Sequence, residues 1–385
     1  MKKIKIILLE LLLIAGIGFT AEKNTVISSE KAFALAKVPP ASDFKYELTD
    51  DLEGIRITAY RGYDVHIRIP DMIEGIPVVE LAENLFRDTG ERLETVIIPD
   101  TIKTVGKGLF GGCKALKNVR LSTALTSIPE DMFGGCESLE SFTIPAHVSN
   151  IETSAFSLSG LKTIYIPDTV TSFSEDSLGG KFDSHSIFSY CKKLESVRLP
   201  SSMTTIYAGM FSNCISLRSI TLHTGITKIE ARAFENCKAL TELKIPDTVT
   251  VIQKEAFDGS GLKSLVIPDS VTTLECTFGK CQNLEYIRLP NSLTEISNNL
   301  FHDGDPEYGS NLTLKSVNLP AALEKLDDGA FRKLRALQEL IIPDSLVSLE
   351  FALNWEFDVS FAFSGTALPI VTQKRLKQLG YPGKF

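Results

Sequence analysis

Cysteine is the residue type in this chain whose spacing most directly suggests chemistry. Six of the seven cysteines lie three residues after a phenylalanine, namely Cys113, Cys136, Cys191, Cys214, Cys237 and Cys281. The regular spacing favours a small buried residue in a tight turn. The alternative is a set of disulfides between neighbours such as Cys214 and Cys237, which an oxidising compartment would permit.

The other reactive residue types form no recognisable catalytic or metal-binding pattern. The five histidines are scattered, and no CxxC or HExxH spacing occurs. Asp303, Asp305 and Glu307 share one loop, but their spacing differs from an EF-hand, so a solvated loop is favoured over a calcium site. There is neither a GxSxG elbow nor a glycine-rich phosphate loop. The sequence predicts a non-enzymatic protein with no catalytic residue, metal site or cofactor.

The elements that carry these residues repeat along the chain. When the sequence is aligned on the proline of its Ile-Pro pairs, most units are 22 or 23 residues apart, with longer steps of 33 and 30 residues. Around Val119, apolar and polar residues alternate as they do in a strand with one buried face. A second column follows the same period and consists of Phe110, Phe133, Phe156, Phe188, Phe211, Phe234, Phe257, Phe278, Phe301 and Phe331.

This repeated unit predicts a mainly β solenoid. The proline ends the first strand because it has no N–H to offer the ladder, and a second apolar pair, such as Val249 and Ile252, fits a short extended segment on the opposite side of the coil. A single coil can bury its apolar residues only against its neighbours, so the coils must stack. We expect about 11–12 coils of 22–23 residues with a parallel inner sheet.

Two stretches, FENCKALTELKIPDTV (Phe234 to Val249) and LKIPDTVTVIQKEAF (Leu243 to Phe257), resemble the leucine-rich repeats of BspA-like, or Treponema pallidum-type, bacterial surface proteins. The resemblance covers about residues 65–365. It implies a right-handed, curved stack at 81–365, an N-terminal cap with an entry hairpin at 44–80 and a C-terminal cap with a short helix at 366–385. It also implies adhesion to matrix proteins such as fibronectin or fibrinogen, or to other bacteria.

The N-terminus has the pattern of a secretory signal peptide. Lys2, Lys3 and Lys5 precede an apolar run, so residues 1–21 are interpreted as the signal and 22–43 as a linker. No later run approaches the length of a membrane helix. We therefore expect an exported chain, on the cell surface or secreted, with the periplasm as the alternative. Its net charge of −8 disfavours nucleic acid and anionic lipid as partners.

The outward-facing positions of the inner strands are the candidate binding residues. Serine and threonine are the commonest residues there, which disfavours a glycan-cleaving site. Tyrosine and arginine are enriched in protein-binding hot spots, and the basic residues would form a mildly basic stripe. The expected ligand-facing residues are Arg120, Tyr165, Arg198, Lys244, Tyr286 and Arg288. The alternative is an ordinary solvated sheet face.

The leading functional hypothesis is an adhesin-like protein that binds protein partners through a concave face. Those partners would be extracellular matrix proteins or bacterial surface proteins. A periplasmic or envelope scaffold without a host ligand is the alternative. Fractionation of cells separates the two hypotheses.

Overall fold

The computed structural model describes residues 29–174, 186–275, 278, 280–296, 300–301, 313–327, 330–331, 334–346, 350–351, 363 and 366–385. The expected signal at 1–21, Cys276 and the loop residues Asp303, Asp305 and Glu307 lie outside these residues. The chain winds through about eleven coils, most of which have one strand on an inner side and one on an outer side, although the coils at 141–144 and 242–245 have no inner strand. The predicted parallel solenoid is confirmed.

The inner strands carry the alternating pattern of the sequence. They pair in parallel and in register, so that Ile164 lies beside Val197 in the next coil and Leu265 beside Ile287. These central residues are buried, while their polar neighbours face solvent. The inner strands are β3 (His66–Arg68), β6 (Thr95–Ile97), β8 (Asn118–Arg120), β11 (Thr163–Tyr165), β13 (Ser196–Arg198), β15 (Ser219–Ile220), β18 (Ser264–Val266), β20 (Tyr286–Arg288), β22 (Ser316–Asn318) and β24 (Glu339–Ile341).

The outer strands are shorter and are formed by the second apolar pair. Ile229 lies beside Ile252, and both are fully buried. These strands are β7 (Thr104–Val105), β9 (Ser127–Ile128), β10 (Asn150–Glu152), β12 (Ser172–Ser174), β14 (Thr205–Ile206), β16 (Lys228–Ile229), β17 (Val251–Ile252), β19 (Thr273–Leu274), β21 (Glu295–Ile296), β23 (Lys325–Leu326) and β25 (Glu350–Phe351). The two apolar columns of each coil therefore meet in one continuous core.

Stacked phenylalanine rings run through this core, and we call them the aromatic spine. It begins at Phe86, follows the predicted phenylalanine column and ends at Phe363. Neighbouring rings are nearly parallel for most of its length, with 5.3 Å between the centroids of Phe86 and Phe110 and 5.9 Å between those of Phe188 and Phe211. Each ring is buried only when the coils on both sides are folded, which couples the coils to one another.

The N-terminal cap extends the spine with a β-hairpin. Strands β1 (Phe44–Leu48) and β2 (Ile55–Tyr60) pair antiparallel, and β4 (Met72–Ile73) pairs antiparallel with β5 (Ile76–Leu81). Tyr60 packs edge-on against Phe86, and Phe44 packs against Tyr60. Before the hairpin are a helix at 29–35 and a 3₁₀ turn at Ala41–Asp43, and a second 3₁₀ turn covers Arg87–Thr89.

The C-terminal cap closes the other end with a helix at Ile370–Gln378. Tyr381 is buried with its ring edge-on to Phe363, 5.2 Å between centroids, and Phe385 packs against Tyr381. The spine is thus covered by aromatic residues at both ends. The expected N-terminal hairpin and C-terminal helix are both present.

The six periodic cysteines form a second buried column beside the spine, and none is in a disulfide. Each thiol donates to the carbonyl of the spine phenylalanine in the preceding coil, as Cys214 does to Phe188 at 3.1 Å and Cys237 does to Phe211 at 3.2 Å. Burial raises the pKa of Cys191 to about 11 and that of Cys281 to about 12. The prediction of small buried turn residues is confirmed for these six positions.

The turns around six spine phenylalanines have positive φ both two residues before and two residues after the ring, namely at Phe110, Phe133, Phe156, Phe211, Phe234 and Phe257. In the coil of Phe133, both Asp131 and Gly135 have positive φ, at 55° and 70°. Glycine, asparagine and aspartate tolerate this region, whereas other side chains are strained in it. Leu158 and Tyr190 occupy the second of these places with φ of 58° and 59°.

Candidate functional site

The outward positions of the inner strands form the exposed surface that we call the inner face. All six residues expected to contact a ligand lie there. Arg120, Tyr165, Arg198 and Lys244 are exposed, while Tyr286 and Arg288 are half-buried. The structure brings them together in two groups along the stack, Tyr165 with Arg198 and Lys244 with Arg288. Arg120 lies apart from both, in the sheet formed by β3, β6 and β8.

The first group is a stacked pair from adjacent coils. Tyr165 and Arg198 are in-register partners in β11 and β13, and the guanidinium carbon lies 4.4 Å from the centre of the tyrosine ring. The guanidinium also donates to Asp168, with 3.4 Å between Nη2 and Oδ2. Stacking and ion pairing hold this arginine in place while the tyrosine ring stays 48% exposed.

The second group contains a bidentate ion pair. Arg288 donates from Nη2 to both carboxylate oxygens of Asp269 at 2.9 Å, and from Nη1 to the carbonyl of Ile267 at 3.3 Å. The backbone N–H of Asn291 donates to the same carboxylate at 2.8 Å, and this bond, followed by Arg288, holds the pKa of Asp269 below its usual value. The pairing fixes the arginine and offsets its charge.

These aspartates form a column that the sequence assigns only to turns, and their contacts with the next coil were missed by sequence reasoning. Asp100, Asp168 and Asp269 each follow the proline that ends an inner strand, and each accepts the backbone N–H of the matching turn in the next coil. Their recurrence as Pro-Asp in the aligned repeat was the signal that could have identified them. Two of them neutralise Arg198 and Arg288, so these arginines contribute less to a basic stripe than the sequence predicted.

A groove of about 800 Å³ lies on the inner face and is lined in part by Lys244 and Arg288 of the second group. Its floor is the coil that runs from Glu242 to Asp247, and its far wall carries Val266, Asp269 and Arg288. Val266, at the end of β18, is 51% exposed, which is high for an apolar strand residue. The groove therefore combines apolar surface with charged side chains.

Two features that would indicate other functions are missing from the described part of the chain. No three or more histidine, cysteine, aspartate or glutamate residues come together there in an arrangement that could hold a metal ion. In the same residues, no helix is both long and apolar enough to span a bilayer.

Comparison with known proteins agrees with the repeat. The family model of the BspA type leucine rich repeat region matches residues 76–182, 184–276 and 304–354 in six copies. A leucine-rich repeat protein from Bacteroides ovatus is 22% identical with a TM-score of 0.62, and the alignment covers 89% of this chain and 97% of that one. A leucine rich cell surface protein from Faecalibacterium prausnitzii is 22% identical with a TM-score of 0.44, covering 91% and 99%. The chain matches no curated protein.

Proposed function

Because this chain belongs to the BspA-type leucine-rich repeat family, we propose that it is an exported, non-enzymatic protein that binds other proteins through its inner face. The observation that carries the proposal is the stacked pair of Tyr165 and Arg198. Both side chains reach solvent from adjacent strands, and their mutual packing orders them before any ligand arrives. Ordered tyrosine and arginine side chains lose little entropy on binding, which favours affinity.

The adhesin-like role is the finer part of the proposal. Repeat solenoids commonly bind macromolecules along an extended sheet face. The resemblance of the repeats to those of BspA-like surface proteins supports extracellular matrix proteins or bacterial surface proteins as the partners. The charge of −8 supports a protein partner over nucleic acid.

The test is binding of the full-length chain to immobilised fibronectin, to fibrinogen and to whole bacterial cells. We expect saturable binding to at least one, and Arg198→Ala should weaken it about tenfold or more, as expected for a hot-spot arginine. Arg87→Ala is the matched control, since Arg87 is exposed but lies in the turn beside Phe86, away from the inner strands. Equal loss in both variants, or no loss in either, would refute the role of the inner face.

Localisation is tested separately by treating intact cells with protease, beside a periplasmic marker. The proposal expects loss of the protein while the marker survives. Protection of the protein until the envelope is broken would instead support a periplasmic or envelope scaffold.

A further inference from the structure

We propose that the groove above the coil 242–247 binds an extended, basic segment of the partner polypeptide. The inference rests on the proposed function, because it assigns a ligand class to one part of the inner face. Three observations carry it: a gap in the inner ladder, a set of unpaired charges and an exposed apolar wall.

The inner ladder is interrupted at this coil. Strand β15 ends the sheet on one side and β18 begins the sheet on the other, and residues 242–245 form no strand between them. Lys263 still donates its N–H to the carbonyl of Thr241 at 3.1 Å, but within the described residues the backbone groups of 242–245 have no hydrogen-bond partner in either neighbouring coil. Backbone donors and acceptors next to a groove are the groups that an extended peptide pairs with.

The gap is confined to the inner side of the coil. On the outer side, Val251 and Ile252 in β17 keep their parallel partners in β16 and β19. Phe234 and Phe257 remain stacked at 5.7 Å between centroids. The coil is therefore held in the stack by its core and its outer strand, and the gap in the inner ladder leaves the rest of the stack intact.

The charged side chains of this coil are unpaired, unlike those beside them. Asp168 and Asp269 each hold an arginine and the N–H of the following turn. Asp247 occupies the equivalent position after Pro246, but in the described part of the chain neither it nor Glu242 or Lys244 forms an ion pair or a side-chain hydrogen bond. Two free carboxylates against one ammonium leave this part of the groove negative.

The shape and charge of the groove select the occupant. Asp247 and Glu242 favour a lysine or arginine side chain, and Lys244 can donate hydrogen bonds to a carbonyl or carboxylate oxygen of the same ligand. The exposed Val266 provides a contact for an apolar residue that alternates with the basic one. An acidic chain as a whole also attracts a basic segment at long range.

The probes are two fluorescein-labelled peptides, one of alternating lysine and valine and one of alternating glutamate and valine, titrated with the full-length protein in low salt. We expect the lysine peptide to bind about tenfold or more tightly than the glutamate peptide. The double variant Glu242→Gln/Asp247→Asn should bind the lysine peptide about tenfold more weakly. Asp344→Asn, the same change after Pro343 in the last coil, should alter its affinity less than about twofold.

A third peptide tests the backbone contribution. It has the lysine and valine sequence with alternate peptide nitrogens methylated, so that its charge is kept while donors are lost. We expect its binding to be several-fold weaker. Equal binding of lysine and glutamate peptides, an unchanged double variant, or equal binding of the methylated peptide would each overturn the inference. If the lysine peptide fails while fibronectin or cells still bind in an Arg198-dependent manner, only this inference falls and the proposed function stands.

Discussion

The rings of Phe234 and Phe257 are almost parallel, at 2° between planes and 5.7 Å between centroids. Both rings are fully buried, and each comes from a different coil. The contact therefore joins neighbouring units of the stack rather than parts of one unit. Removal of one ring should therefore destabilise two neighbouring coils.

We expect Phe234→Ala to lower the free energy of unfolding by about 3–5 kcal/mol, because it removes a large buried side chain and leaves a cavity. Urea denaturation followed by circular dichroism measures the change. Ser219→Ala, on an exposed position of β15, is the control and should shift stability by less than about 0.5 kcal/mol. A Phe234→Ala protein as stable as the control would show that the spine does not stabilise the stack.

Leu158→Gly should stabilise the protein by about 0.5–1 kcal/mol. Leu158 has a φ of 58° and is 42% exposed, so glycine relieves backbone strain while little buried surface is lost. Thermal unfolding measures the gain. Asn236→Ala is the control with the opposite expected result, a lower melting temperature. It removes the hydrogen bond that Asn236 Nδ2 donates to Asn213 Oδ1, and it places alanine at a φ of 56°. A lower melting temperature for Leu158→Gly would contradict the strain argument.

The buried thiols should make the protein less stable in alkali. Burial raises the pKa of Cys113 from 9.0 to about 12, so above pH 9 the unfolded chain loses this proton while the folded chain keeps it. The contribution of the thiol is complete below pH 9 and is lost as the pH rises towards 12. Cys113→Ser, which copies Ser159 and Ser260 at the same place in other coils, should lose stability less steeply over this range. The free energy of unfolding of both proteins is measured by urea denaturation from pH 8 to 10.5. The same pH dependence for the parent and for Cys113→Ser would contradict the role of the buried thiol.

Thiol labelling gives an independent check of the same column. In a Cys276→Ser background, the six periodic cysteines should not react with an aromatic disulfide reagent at pH 8 until the protein is denatured. Rapid labelling of the native protein would show that these thiols are accessible.

Asp269 should contribute to acid sensitivity. The N–H of Asn291 and then Arg288 lower its folded pKa below 3.8, so its stabilising effect is present above the unfolded pKa and is lost as the pH falls through the folded pKa. Asp269→Asn keeps an acceptor for Asn291 but no charge for Arg288, so melting temperature should depend less on pH below about pH 4. Glu91→Gln, at an exposed position, is the control and should match the parent profile.

The coil architecture followed from the sequence because stacking imposes the same packing on every repeat. Val119 and Phe110 recur at one period since each meets its own equivalent above and below. Phe86 was left out of the predicted column because the resemblance to other repeats weakens towards the N-terminus, although Leu85 before it matches Leu109 before Phe110.

The features of the inner face that involve two coils could not be predicted in the same way. The pairing of Arg198 with Asp168 depends on the offset between neighbouring turns, which a single repeat does not encode. The ladder gap at 242–245 is equally hidden, since TELKIPD follows the repeat pattern as closely as any other unit. Leucine at 243 is a weaker strand former than the valine or isoleucine of most other units, but Leu265 lies in a regular strand.

The stacking of coils also determines how the protein would respond to mechanical load. Its ladders join successive coils, so a force that pulls the two ends of the chain apart would peel coils from a terminus one after another rather than break all contacts together. Most coils would release 22 or 23 residues of chain, about 75 Å of extended length. Under tension such a stack would lengthen in steps, and the ring contacts of Tyr60 and Tyr381 in the two caps would resist the first of them.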